Sequence, residues 1–249
     1  MKTNRLFLLF FLFIAILGVQ TTYAGQFITE DPVTTKVEHV ELIPFSDVTK
    51  IRSGTIFETP ALEANVGILT DFQGHLITPV DLNLPRHGSN AYGYGDIETG
   101  FKYRFIQETE SMPQVAFYPK VTLPSGFKEL GLGLGGPTEA IPFWFLKSWN
   151  SWKLSGGGGY TFSQASHTHD YGFGGLLLQK DFGKRFTLGG ELYAQGTISQ
   201  TIRSALIFTF GGNYNFTENF ALLFSTGHSI AGQNTLTGYI GLDWTFGAR

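Results

Sequence analysis

Period-two alternation, carried through segment after segment of one chain, is the feature that most narrows the folds open to this sequence. In the stretch GDIETGFKYRF, residues 95–105, Asp96, Glu98, Lys102 and Arg104 share one parity, and Ile97, Thr99, Phe101, Tyr103 and Phe105 share the other. Successive side chains leave a pleated strand on opposite sides, so one face is charged and the other largely aromatic. Two architectures accept such a strand. A soluble sandwich buries the aromatic face and wets the charges, whereas a membrane barrel turns the aromatics to lipid and lines a wet lumen with the charges.

The pattern recurs in twelve segments, at roughly 36–46, 55–68, 72–84, 95–107, 113–124, 138–149, 152–163, 171–182, 185–196, 204–216, 220–230 and 236–246. Each is near the length of about ten residues that a tilted membrane strand needs. Connections after the even-numbered segments are short, as at Asn150-Ser151 and Gly183-Lys184, with ETESMP the exception. Those after the odd-numbered segments are longer and richer in glycine, as in PRHGSNAYGYG and GFKELGLGLGGP. Short turns on one rim and longer loops on the other is the arrangement of outer-membrane barrels, with the short turns facing the periplasm. Aromatic residues, 15% of the chain, gather near predicted strand ends, among them Phe72, Tyr118, Trp149, Trp152, Phe162, Tyr171, Phe182, Phe186, Phe216, Phe220, Trp244 and Phe246. That placement fits two interfacial girdles better than an aromatic core, which would hold its rings mid-strand.

The start of the chain addresses the same compartment. Lys2 and Arg5 precede an unbroken apolar run over residues 6–19, and Thr22-Tyr23-Ala24 offers small residues before a cleavage point. This is the layout of a secretory signal peptide, residues 1–24, cut after Ala24, and the run is short for a helix crossing about 30 Å of hydrocarbon. Residues 25–249 then form the barrel. They hold no second long apolar run, so any membrane crossing is made by strands. The absence of cysteine excludes a lipoprotein anchor, a disulfide scaffold and a zinc-thiolate site, and a net charge of −3 offers no footprint for nucleic acid.

In YIGLDWTFGAR, Ile240, Leu242, Trp244 and Phe246 share one face. The string resembles the assembly signal of outer-membrane barrels, carried here by Tyr239, Gly241, Trp244 and Phe246, although three residues follow the phenylalanine that usually comes last. From about residue 28 to 246, the blocks GYGDIETGFKYRF, VTLPSG, LKSWNSWKLSGGGGY, LLQKDFGKRFTLGGELY, FGGNYNFTENFALLFSTGHSI and YIGLDWTF resemble the outer-membrane transporter-like family named after the MetA pathway of phenol degradation. The resemblance implies a bacterial outer-membrane β-barrel associated with transport of small, often aromatic compounds, and it brings no catalytic residues.

Together these readings predict an all-β, antiparallel up-and-down transmembrane barrel of about twelve strands, with the aromatic face of residues 95–105 toward lipid. Asp96, Glu98, Lys102, Arg104, Lys120 and Glu191 then face the lumen as candidates for a constriction of opposed charges. Two readings of them stay open: a selectivity filter, or a network of salt bridges that hydrates and stiffens the interior. Twelve strands leave a narrow, partly filled passage suited to small solutes. About ten residues, GQFITEDPVT, precede the first strand, too few for a hatch like that of fatty-acid transporters. The expected partners are outer-membrane lipids, the barrel assembly machinery and a small solute.

An enzyme reading finds little support in the sequence. His228 and Ser229 are adjacent and point to opposite faces of a strand, and Ser166-His167 lies in a loop without an evident oxyanion hole. His167-Thr168-His169-Asp170 reads as a solvated loop, the glycines of 131–136 lack a phosphate-loop ending, and no cofactor or metal is expected. The leading expectation is a passive channel or uptake barrel for small, aromatic or apolar molecules. The competing ones are a closed structural or adhesive barrel and, behind it, a lipid-modifying enzyme.

Overall fold

The computed structural model describes residues 25–247, so the predicted signal peptide and its cleavage point lie outside the described residues. Fourteen strands form one sheet: β1 (His39–Ile51), β2 (Gly54–Leu69), β3 (Phe72–Pro85), β4 (Ala91–Tyr94), β5 (Ile97–Ile106), β6 (Gln114–Phe117), β7 (Lys120–Leu123), β8 (Thr138–Trp149), β9 (Trp152–Ser163), β10 (Tyr171–Phe182), β11 (Phe186–Gln195), β12 (Ala205–Thr217), β13 (Phe220–Gly232) and β14 (Leu236–Gly247). All neighbours are antiparallel, and β1 pairs with β14 from His39↔Gly247 to Lys50↔Leu236, which closes the sheet.

Four of the fourteen are halves of two broken staves. β4 and β5 both pair with β3, on either side of Gly95-Asp96. β6 and β7 both pair with β5 and β8, on either side of Tyr118-Pro119. The barrel therefore has twelve staves. Proline cannot donate to a ladder, which accounts for the second break, yet Tyr118 N–H still reaches Pro142 O and Phe101 N–H reaches Pro119 O.

The first stave begins and ends later than the alternation suggests, at 39–51, and turns through Arg52-Ser53 into β2. The longer connections, 124–137, 164–170 and 196–204, sit on one rim, with both ends of the barrel on the other. The exceptional connection on the short rim, 107–113, is pinned by Glu108, whose carboxylate accepts Ser148 N–H at 2.6 Å, Ser148 Oγ–H and Lys147 Nζ at 3.2 Å, and Gln114 Nε2 at 3.3 Å. Partial burial pushes this carboxyl up, but those donors outweigh it and hold it below the usual range.

The two faces of 95–105 divide as expected. Phe101, Tyr103 and Phe105 are 38%, 46% and 45% exposed, against 8% for Glu98 and 6% for Lys102. On the short-turn rim an outward chain of rings runs Tyr214, Phe216, Phe220, Trp244, Phe246, with centroids 5.3 to 6.4 Å apart, as an interfacial girdle requires. Trp244 and Phe246 of the C-terminal signal are in it, whereas Tyr239 is buried on the luminal side against Phe45. Tyr118 is also no girdle residue: it is buried inside the barrel.

Candidate functional site

The lumen contains something the sequence reading did not place there. Residues 25–38 precede β1 and enter the barrel, leaving Val33 and Lys36, Val37 and Glu38 exposed. Phe27, Ile28, Thr29 and Thr34 are buried. Thr35 N–H donates to Gln73 on β3 at 2.7 Å, Thr29 N–H donates to the Glu191 carboxylate on β11, and Glu30 reaches the opposite wall. The expectation that so few residues leave no room for a hatch is thus corrected. A folded plug domain is unnecessary, because a single extended strand of chain is enough to cross a twelve-stave lumen already narrowed by its own side chains.

The polar part of the site grows from the luminal parity of β2, β3, β5 and β7. Asn65 Nδ2 donates to Glu41 at 2.8 Å and to Glu63 at 2.6 Å, while its Oδ1 accepts Gln73 Nε2 at 3.1 Å and lies 2.9 Å from His75 Nδ1. His75 Nε2 is 3.2 Å from Glu98 Oε1, which is itself 3.2 Å from Lys120 Nζ. Lys120 and Lys102 converge on one carboxylate from the N-terminal segment: Glu30 Oε1 is 3.0 Å from Lys120 Nζ and Glu30 Oε2 is 3.6 Å from Lys102 Nζ. Both ammonium groups lie 4.6 Å from the centroid of the Tyr118 ring, within cation–π range.

Of the six luminal candidates, the structure brings Glu98, Lys102 and Lys120 together, around Glu30. The other three have separate places. Asp96 accepts Gly126 N–H at 2.9 Å and Leu134 N–H at 2.7 Å, which ties down the 124–137 loop. Arg104 sits at the short-turn rim, where its Nε is 3.0 Å from Asp71 Oδ1 and its Nη1 3.0 Å from Gln114 Oε1. Glu191 is fully buried and faces Thr29 rather than a lysine. Glu30 was the residue sequence reasoning missed. Its partners lie on β5 and β7, and the aperiodic start of the chain gave no register to link them.

Ile28 packs with Tyr118, Trp144, Tyr193, Ala205 and Ile207 in an apolar cluster that Phe173 adjoins. Between this floor and the longer loops lies a cavity of about 150 Å³. One side is apolar, with Trp144, Phe173, Tyr193, Ile198 and Ile202, and the other carries Glu58, Asp81, Asp96, Glu98 and Lys120. The loops that roof it are joined by a bridge between Thr168 and Ser199. In the first of them Asp170 accepts Ser163 N–H at 2.8 Å, so the His167–Asp170 string is part of a folded loop, and among the described residues no cluster of three or more metal-ligating groups occurs. On β13, Ser229 is buried and His228 exposed, on opposite faces.

The fold is that of outer-membrane β-barrels. An outer membrane channel of Pseudomonas putida F1 superposes with a TM-score of 0.69 at 12% identity, over 86% of this chain and 97% of that one. The KdgM porin, solved in complex with disordered oligogalacturonate, superposes with a TM-score of 0.57 at 10% identity, over 83% of this chain and 99% of that one. The NanC porin gives 0.57 at 8% identity, over 82% and 98%. No curated protein matches the sequence. Over residues 49–244, from the end of the first stave to near the end of the last, the sequence matches the family described as "Putative MetA-pathway of phenol degradation", and the chain belongs to that family.

Proposed function

We propose that this protein is a passive outer-membrane channel for small aromatic or apolar molecules, closed by its own N-terminal segment across the lumen. The observation that carries the reading is the cavity above Ile28 and Glu30, with an aromatic wall on one side and polar groups on the other, the usual make-up of a small-molecule site. Likeness in fold to a channel and two porins supports the same reading. Membrane lipids around the aromatic face and the barrel assembly machinery are the partners that go with it.

A second reading, a closed structural barrel, is favoured by the pairing of Lys102 and Lys120, since luminal charges that neutralise one another need no passing ion to explain them. The two separate on conductance. In planar bilayers the mature protein should give small, intermittent currents, and deletion of residues 26–34 should make them large and steady. A deletion variant that folds, by heat-modifiable mobility, and carries no current removes the channel reading and leaves the structural barrel.

A further inference from the structure

The cation pair at the centre of the lumen already holds a carboxylate, and the chain supplies it. Glu30 is the one acidic side chain within ion-pairing distance of Lys102 among the described residues. Lys120 keeps a second partner, Glu98 at 3.2 Å. With the segment in place Lys102 is 6% exposed, so its ammonium is largely withdrawn from water and depends on Glu30 for its counter-charge. An anion that displaces the segment restores that counter-charge, which a neutral molecule cannot do.

The apolar half of the segment's contact says what else the displacing molecule needs. Two residues before Glu30, Ile28 fills the cluster formed with Tyr118, Trp144 and Tyr193. Trp144 is 2% exposed and its indole N–H has no acceptor among the described residues. The cavity borders Ile28, Glu30, Lys120, Trp144 and Tyr193 together, so a solute in it touches both the cation and the aromatic wall before the segment moves.

We propose that Lys102, Tyr118 and Lys120, with the wall of Trp144 and Tyr193, form a binding site for small aromatic carboxylates, of which Glu30 and Ile28 are the resident occupant. An incoming carboxylate takes the place of the Glu30 side chain on the two ammonium groups, its ring takes the place of Ile28, and the N-terminal segment is released from the lumen. The proposal rests on the channel reading only for the consequence of that release. As a tethered ligand Glu30 competes at an effective concentration on the order of millimolar, so the free solute binds the wild-type protein weakly.

Binding of benzoate to the folded mature protein in detergent, measured by calorimetry, tests the site without reference to transport. Glu30→Gln should bind benzoate at least about tenfold more tightly than wild type, because the internal competitor has lost its charge. Glu30→Gln combined with Lys102→Gln should lose that gain, and benzyl alcohol, with the same ring and no charge, should bind all three alike. Equal benzoate affinity in wild type and Glu30→Gln, retention of the gain in the double variant, or the same gain for benzyl alcohol would each overturn the proposal. Should Glu30→Gln fail to fold, Phe27→Cys, at a buried position in a chain free of native cysteine, gives the second measurement. Benzoate and not benzyl alcohol should speed its labelling by a water-soluble maleimide several-fold, and an unchanged rate sinks the idea. Current through the wild-type protein with benzoate present judges the channel separately: binding and labelling without current would leave the site standing and remove the channel.

Discussion

The wall of the barrel is built in two styles. From β8 to β12 the staves pair without a break, with ten consecutive register pairs between β9 and β10, between β10 and β11, and between β11 and β12. From β1 to β7 the ladder shifts at Phe45/Asp47 and at Glu58/Ala61, and breaks at Gly95-Asp96 and at Tyr118-Pro119. The luminal side chains divide in the same way. The regular half shows Ser155, Leu177, Tyr193, Ile207 and a single buried carboxylate, Glu191, whereas the irregular half buries Asp47, Glu58, Glu63, His75, Asp81, Glu98 and Lys102. Regular pairing belongs to the wall that only has to be smooth. Bulges and breaks belong to the wall that has to aim charged groups at one another, as bulges commonly do near functional sites.

The largest expected effects come from breaking the regular half where its staves approach closely. A Cβ on Gly158 would lie 2.3 Å from Phe173 O, and Gly157 combines a φ of +147° with a Cβ position 2.1 Å from Phe143 O, so both glycines are required by the close approach of neighbouring staves. Gly158→Val should abolish the folded, heat-modifiable species. Pro119→Ala, at the break in the irregular half, should leave it intact, because the ladder there has already been routed around the missing donor. If both variants fold equally well, the two styles of wall do not differ in tolerance and the contrast fails.

Next in size is the lipid face, which should be indifferent to the division. Phe101 lies at the middle of β5 in the irregular half, 38% exposed, beside Phe72 at 5.3 Å, and Leu176 lies at the middle of β10 in the regular half, 54% exposed. An arginine at either position is expected to cost on the order of 2–4 kcal/mol at the bilayer midplane. Unfolding of Phe101→Arg and Leu176→Arg in lipid vesicles should give similar losses. A luminal change of comparable chemistry, Lys153→Gln, should lose far less, since its pair with Asp181 at 3.0 Å is partly exposed.

How much of this could be read from the chain follows the same line. Staves 138–149, 152–163 and 171–182 stand where the alternation puts them, because nothing interrupts a ladder whose glycines and aromatics all serve the same pleat. The breaks did not announce themselves. Gln114, Ala116, Tyr118 and Lys120 keep one parity straight through Pro119, so the periodic signal runs on while the hydrogen bonds stop. Parity also found Glu98, Lys102 and Lys120 as luminal. It could not find Glu30, whose segment has no period and meets β5, β7 and β11 only through the closed shape of the barrel. The available hint was Phe27-Ile28, two large apolar residues at the start of a polar stretch with nothing in sequence to bury them.

A smaller effect separates the two walls as anchors of that segment. Glu30 ties the segment to the irregular half through two ion pairs, and Glu191 of the regular half holds it by accepting Thr29 N–H. Glu30→Gln removes the charge from a buried pair, while Glu191→Gln keeps an acceptor oxygen for Thr29, so the first should raise the open fraction of single channels by about tenfold and the second by less than about twofold. Single-channel recordings of the two variants side by side decide it. The reverse order would mean that the smooth wall, and not the charged one, holds the segment.

The smallest expected effect lies at the short-turn rim of the irregular half, where the charges meet water. Asp71 turns the chain from β2 into β3 with a φ of +62°, and it receives Arg104 Nε at 3.0 Å and Gln107 Nε2 at 2.5 Å. The hydrogen bond from Arg104 holds its carboxyl below the usual carboxylate range, with Gln107 and the Arg104 charge adding to the effect against a small opposing cost of desolvation. A depressed folded-state value means that the carboxylate contributes stability above its unfolded value, about 3.9, and that the contribution is lost as the pH falls through the folded value. Asn tolerates the left-handed conformation, so Asp71→Asn isolates the charge from the turn. The variant should lose no more than about 1 kcal/mol near neutral pH, because the pair is partly solvated, and the difference from wild type should close as the pH drops below about 4. Urea unfolding in lipid vesicles across that range gives the measurement. A difference that persists unchanged into acid would show that the turn, and not the ion pair with Arg104, is what Asp71 provides.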